Sequence, residues 1–155
     1  MQSNIPWDEI KNLFSKVKSC SMATVDEDGT PRVSPIGSVF LSNEGRGHYF
    51  EHFPKGMRNN LDRDPRLAIM AVHPGMGYWF RSLWRGRFVT HPALRLICEA
   101  SKRRKATQTE IDAWMAKVRP FKYFKGHDLL WKNMGHLREF KILRVEPVNL
   151  GRMTP

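Results

Sequence analysis

Two runs of β-favouring residues, Cys20 to Val25 and Thr30 to Gly37, flank the turn Asp26-Glu-Asp-Gly29. The arrangement recurs at once, with Val39 to Leu41, then Asn43-Glu-Gly-Arg-Gly47, then Tyr49 to Phe53. Short strands joined by Gly-containing turns pair as antiparallel hairpins. Leu67-Ala-Ile-Met-Ala-Val72 is a continuous apolar run of strand length, expected at the centre of a sheet and covered on both faces. Ala93 to Ser101 resumes the pattern, with Leu94, Leu96 and Cys98 on one face and Arg95, Ile97 and Glu99 on the other. The last element, Leu137 to Leu150, alternates at Phe140 and Ile142 and then shifts phase at Leu143 and Val145, which predicts a bulged closing strand. Pro147 places its end at an edge. With few helices and no βαβ alternation, the expected fold class is mainly β: a small antiparallel barrel with peripheral helices, in one domain over residues 1–155.

The helices are read from apolar spacing. Trp7, Ile10, Leu13, Phe14 and Val17 recur at helical intervals, with Asn4 able to cap and Pro6 tolerated in a first turn. Thr107-Gln-Thr-Glu110 fits a capping box, followed by the apolar face Ile111, Trp114, Met115 and Val118, and Pro120 stops that helix. Lys122 to Gly135 reads as loop plus a short helix. Lys102-Arg-Arg-Lys105 reads as a solvated strand end. Met76 to His91 interleaves Gly75, Gly77 and Gly86 with aromatics and Arg81, Arg85 and Arg87, and is expected to be a long loop or lid. Aromatics between arginines suit a planar anionic ligand or a single strand of nucleic acid, and equally an insertion folded over the barrel end or into a dimer interface.

The net charge of +11 and the pI near 10.1 point to an anionic ligand, a polyanion or a well-solvated surface. The basic residues are scattered over several elements, so nucleic-acid binding ranks below a small anion. No apolar run approaches the roughly 20 residues that span a bilayer, Met1 to Lys18 is too polar for a signal peptide, and Cys20 and Cys98 are far apart. Together these lead to the expectation of a cytoplasmic protein with reduced, buried thiols and no membrane partner.

One stretch stands out as an anion site. His48 to Phe53 runs through Pro54 into a short basic helix in which Lys55, Arg58 and Asn59 fall at i, i+3 and i+4, beside the unpaired N–H groups of the first turn. Arg58 and Asp62 are also an i, i+4 pair, so a solvated surface helix fits the same residues. Asp64 ahead of Pro65 ends the helix near Arg63. No Cys cluster accompanies the histidines, so no metal site is expected. Nucleophile-elbow, P-loop and dinucleotide fingerprints are missing, which leaves an organic cofactor to carry any chemistry.

Met22-Ala-Thr-Val-Asp-Glu-Asp-Gly-Thr-Pro-Arg-Val-Ser-Pro-Ile-Gly37, followed by Tyr49-Phe-Glu-His-Phe53 and by Lys55 to Arg66, resembles the pyridoxamine 5'-phosphate oxidase-like family. The resemblance implies an FMN-binding split β-barrel and a homodimer with two FMN sites at its interface, each lined by both chains. It implies Arg32, Ser34, Lys55, Arg58 and Asn59 as FMN ligands, with backbone around Val33, Pro35, His52 and Phe53 near the ring. Met57 stands where many relatives carry a basic residue. The implied activity is that of a flavin-dependent oxidoreductase acting on an unassigned small molecule. A flavin, deazaflavin or haem binder without turnover is the alternative.

Overall fold

The computed structural model describes residues 4–42, 45–52, 55–131 and 133–154. Phe53 and Pro54 at the strand-to-helix corner, and Asn43 and Glu44 of the second hairpin, lie outside the described residues.

In chain order the elements are α1 (Trp7–Lys16), β1 (Cys20–Val25), β2 (Pro31–Ile36), β3 (Val39–Leu41), β4 (Arg46–Phe50), α2 (Lys55–Arg63), β5 (Arg66–Val72) and α3 (Met76–Arg85). Then come β6 (Ala93–Lys105), α4 (Gln108–Val118), α5 (Gly126–Trp131) and β7 (His136–Pro147). The strands form one seven-stranded sheet in the order β2-β1-β5-β6-β7-β4-β3. Every pairing is antiparallel. The outer strands β2 and β3 are joined by Gly37 and Ser38 alone, and three Cα–Cα steps reach no more than about 11 Å. The sheet therefore curls until its two ends meet, and the result is a split barrel. Ser38 sits at that join, donating its hydroxyl to the Phe50 carbonyl at 3.2 Å and accepting the Phe50 N–H at 3.1 Å.

The core lies on the concave side. Ile10, Leu13 and Phe14 of α1 pack with Cys20, Met22, Ile69, Leu94, Leu96, Cys98 and Ile142, each fully buried apolar side chain contributing about 1.5–3 kcal/mol. A second cluster of Phe50, Trp114, Val118, Met134 and Leu137 fixes α4 over the β4–β7 end. Gly47 opposes Phe140 across the β4–β7 ladder. A Cβ there would lie 2.5 Å from the Phe140 ring and 2.6 Å from the Phe40 carbonyl, so only glycine fits.

The capping box of Thr107 with Glu110 forms as its spacing predicts, and the phase shift at Leu143 is a bulge between β6 and β7. Three local expectations are corrected. Met76 to Arg85 is a helix rather than a loop, closed by Gly86 at φ 65, whose N–H bonds the Leu83 carbonyl. The glycines at 75 and 86 bound this helix, and only Gly77 lies within it. Pro6, with no side-chain cap, occupies the N-cap position of α1 in place of Asn4. β5 is central, between β1 and β6, but it alternates: Leu67, Ile69 and Ala71 are buried while Ala68 and Met70 are partly open. Its small second face explains why the run reads as continuously apolar. Lys102 to Lys105 is the solvated end of β6, as expected, with Arg103 and Arg104 half-exposed in ion pairs. Among the described residues no helix is long and apolar enough to cross a membrane, and no cluster of His, Cys, Asp or Glu could hold a metal ion.

Candidate functional site

α2 is held on the barrel by its inward residues. Met57 and Leu61 enter the core. Asn60, also buried, donates to the Thr24 hydroxyl at 3.1 Å and to the Asp26 carboxylate at 2.6 Å. Arg63 donates to the Val25 carbonyl at 2.6 Å, so the helix lies against the β1–β2 turn. Helical periodicity then sends the remaining side chains in two directions.

On one side is an open cleft of about 580 Å³, lined by Asp26, Glu27, Asp28, Arg32, Gly56, Asn59, Asn60 and Arg63. Here the structure brings Arg32 and Asn59 together. Arg32 is bonded to Asp26, and the Asp26 carboxyl is held below its usual range first by the Asn60 amide and then by Arg32. Three carboxylates against two guanidinium groups make this side unfavourable for a phosphate.

On the other side the charge balance reverses. Glu51, just past β4, is buried with its side chain only 1% exposed, as is that of Arg138 on β7. Arg138 donates from Nε to Glu51 at 3.0 Å, from Nη2 to Asp62 at 2.6 Å and from Nη1 to the Ser101 carbonyl at 3.1 Å. The Tyr49 hydroxyl donates to Glu51 at 3.0 Å, and burial, then the Glu51 charge, push its pKa up, so it remains a donor. Two more guanidinium groups converge on this carboxylate, Arg103 of β6 with Nε at 3.3 Å and Arg58 of α2 with Nε at 3.7 Å. Among the described residues neither Nε has a hydrogen-bond partner, although both are buried. Three arginines thus face two carboxylates, Glu51 and Asp62. His136 is nearby, and burial, followed by Arg103, Lys105 and Arg58, depresses its pKa, so it stays neutral and adds no cation. The excess positive charge lies where Arg58 and Arg103, about 31% and 30% exposed, reach solvent beside the start of α2.

The remaining sequence-predicted residues take separate places. Lys55 opens α2 and is exposed, while His52 is half-buried just after β4. Arg32, Val33, Ser34 and Pro35 lie on the edge strand β2, where Val33 is 67% exposed and Pro35 is open, an apolar ledge with unpaired backbone on its outer side. Met57 is buried in the core, which leaves only its backbone for contact with a ligand. Phe53 lies outside the described residues. Lys55, Arg58 and Asn59 do not share one side, because Arg58 turns to Glu51 and Asn59 to the Asp26 cleft. The i, i+4 pair of Arg58 with Asp62 does not form either, since Asp62 bonds Arg138. Sequence reasoning missed Glu51, Arg103 and Arg138. The strand phase held a signal, because Arg138 is in step with buried Phe140 and Ile142, and an arginine on the apolar side of a strand requires a buried acid.

A family model described as pyridoxamine 5'-phosphate oxidase matches residues 6–150. The chain belongs to this family. No curated protein matches the sequence significantly. Among solved structures, this family member is similar to an FMN-binding protein from Syntrophomonas wolfei, at 15% identity and TM-score 0.65, with 94% of this chain and 87% of that one covered. HupZ from Group A Streptococcus aligns at 18% identity and TM-score 0.61, covering 95% and 97% of the two chains. An F420 reductase aligns at 13% identity and TM-score 0.60, covering 94% and 97%. At these identities the likenesses establish the split-barrel fold of the pyridoxamine 5'-phosphate oxidase family, with residues 6–150 carrying it.

Proposed function

We propose that this chain binds FMN and works as a flavin-dependent oxidoreductase on a small molecule, as a homodimer whose cofactor sites lie between the two chains. The observation that carries this reading is the excess cationic charge of Arg58 and Arg103 beside the start of α2, with two buried Nε donors that have no hydrogen-bond partner among the described residues. A helix start and guanidinium groups are what a phosphate monoester seeks. The residues present fit the rest of FMN as well. Val33 and Pro35 on the edge of β2 offer an apolar ledge for a flat ring, and unpaired backbone groups of that edge can meet its polar rim. Bound FMN would supply the hydride and electron chemistry that no side chain here provides.

In this reading Arg58 and Lys55 take the phosphate charge, since Met57 points into the core. Buried Glu51 holds Arg58 and Arg103 at the mouth of α2 while Arg138 neutralises Glu51 from behind. Support for FMN comes from the family and from the FMN-binding neighbour. The F420 reductase motivates a competing titration with a deazaflavin. The test is FMN titration of the purified chain followed by fluorescence quenching and absorbance, with riboflavin as the phosphate-free control. FMN binding near one per chain and much weaker riboflavin binding are expected. A protein that takes up neither would overturn the proposal.

A further inference from the structure

α3 presents a surface that the cofactor reading does not use. Its inward stripe anchors it: Ser82 is buried and donates to the Tyr78 carbonyl at 2.8 Å, the Tyr78 hydroxyl donates to the Thr90 carbonyl at 2.6 Å, and Trp79 Nε1 donates to the His73 carbonyl at 2.8 Å. The Tyr78 ring stacks on His73 with centroids 3.8 Å apart and on Phe88 at 5.9 Å. With that face fixed, Met76, Phe80, Leu83 and Trp84 fall at i, i+4, i+7 and i+8 and form one outward ridge. They are 71%, 66%, 64% and 92% exposed, a contiguous apolar ridge standing in water.

The next stripe round the helix is cationic. Arg81 and Arg85 stand there, and with Lys16 of α1 they line a groove of about 540 Å³ between α1 and α3. Glu9, the acid in that groove, is already engaged by the His91 N–H at 3.1 Å and the His91 ring at 2.8 Å. From His73 to Cys98 the sequence contains no Asp or Glu, and Arg87 adds a further positive charge. This end of the sheet is remote from α2, because β5 runs from Arg66, next to α2, to Val72, next to α3. That length of strand covers about 20 Å.

We propose that α3 docks the protein on an anionic bilayer surface, with the Met76, Phe80, Leu83 and Trp84 ridge entering the headgroup boundary and Arg81 and Arg85 meeting lipid phosphates. A ten-residue helix spans about 15 Å and is too short to cross a bilayer, so it lies in the interface plane. Charge complementarity selects this occupant. A second copy seated on the ridge across a two-fold axis would set arginine stripes against each other, with no carboxylate on the segment to separate them. A nucleic acid would stack on Trp84 and Phe80 but gain nothing from exposed Met76 and Leu83.

The experiment is flotation of the full chain with vesicles of phosphatidylcholine alone or mixed with phosphatidylglycerol, at low and high salt, alongside sedimentation velocity and retention on an oligonucleotide. At low salt the anionic vesicles should retain at least about ten times more protein than the neutral ones. Trp84→Ser with Phe80→Ser, or Arg81→Glu with Arg85→Glu, should abolish that retention while circular dichroism stays unchanged. The substituted side chains are exposed, so the variants keep the fold. Absence of binding to anionic vesicles, or binding that these variants leave intact, overturns the proposal. So does a fall from dimer to monomer in Trp84→Ser without vesicle binding by the parent, which would assign the ridge to a second copy. Trp84-dependent oligonucleotide retention without vesicle binding would assign it to nucleic acid and would equally overturn it.

Discussion

Glu51 and Arg138, separated by 87 positions in sequence, meet with Arg138 Nε donating to the Glu51 carboxylate at 3.0 Å and both side chains only 1% exposed. The pair joins the end of β4 to β7, and through Asp62 it reaches α2. It ties Glu51 to α2, beside which the proposed phosphate site lies.

Arg138→Ala leaves Glu51 buried with the Tyr49 hydroxyl and, as its only cations among the described residues, the partly exposed Arg58 and Arg103. Breaking a buried ion pair from one side costs about 3–5 kcal/mol. Urea unfolding should show a loss in that range for Arg138→Ala. Exchanging both Glu51 and Arg138 for apolar residues of similar volume should recover much of it. A loss below about 1 kcal/mol in the single variant would show that the pair is not buried in solution.

Arg58 is about one-third exposed and contacts Glu51 at 3.7 Å without a hydrogen bond, so folding depends on it only weakly. If it meets the FMN phosphate, Arg58→Ala removes a charge-assisted bond worth about 1.5–3 kcal/mol, a loss of roughly tenfold to a hundredfold in FMN affinity. The unfolding midpoint should move little. Unchanged FMN affinity would place the phosphate elsewhere.

Not every part of this arrangement is visible along the chain. The hairpins, the Thr107 capping box and the Leu143 bulge were legible because each rests on a local signal: turn glycines, an i, i+3 pair and a phase shift. α3 was hidden because Gly75, Gly77 and Gly86 read as loop punctuation, although Gly86 in fact caps the helix. The basic character of the α2 start was legible, but its division into two sides was not. That division depends on Asn60 reaching Thr24 and Asp26, and on Glu51 drawing Arg58 away from Asp62, contacts that no sequence spacing encodes.

Glu110 caps α4 and receives both Arg104 Nη groups, at 3.0 and 2.7 Å. The Arg104 guanidinium is the main cause, with Thr107 assisting against the opposing effect of burial, that holds the Glu110 carboxyl at about 2. A depressed carboxylate stabilises the fold above its unfolded pKa, and that contribution is lost as pH falls toward the folded value. The stabilisation should therefore be complete above about pH 4.5 and fade between there and about pH 2. The pair is partly exposed and screened by solvent, so its contribution is about 1 kcal/mol or less. Acid unfolding of Glu110→Gln should be flatter over that window than that of the parent. An identical slope would contradict the pairing.

Burial pushes the thiols of Cys20 and Cys98 up to about 12. Thiolate is the reactive form, so both should resist a thiol reagent at pH 8 in the native state and react fully in denaturant. Rapid native labelling of either thiol would contradict its place in the core.

The most direct test of the central claim is titration of the purified chain with FMN against riboflavin, read by flavin fluorescence. The expected result is saturation near one FMN per chain, with riboflavin binding at least about tenfold weaker because it has no phosphate for Arg58 and the α2 start. Equal affinity for the two, or no binding of either, would contradict it.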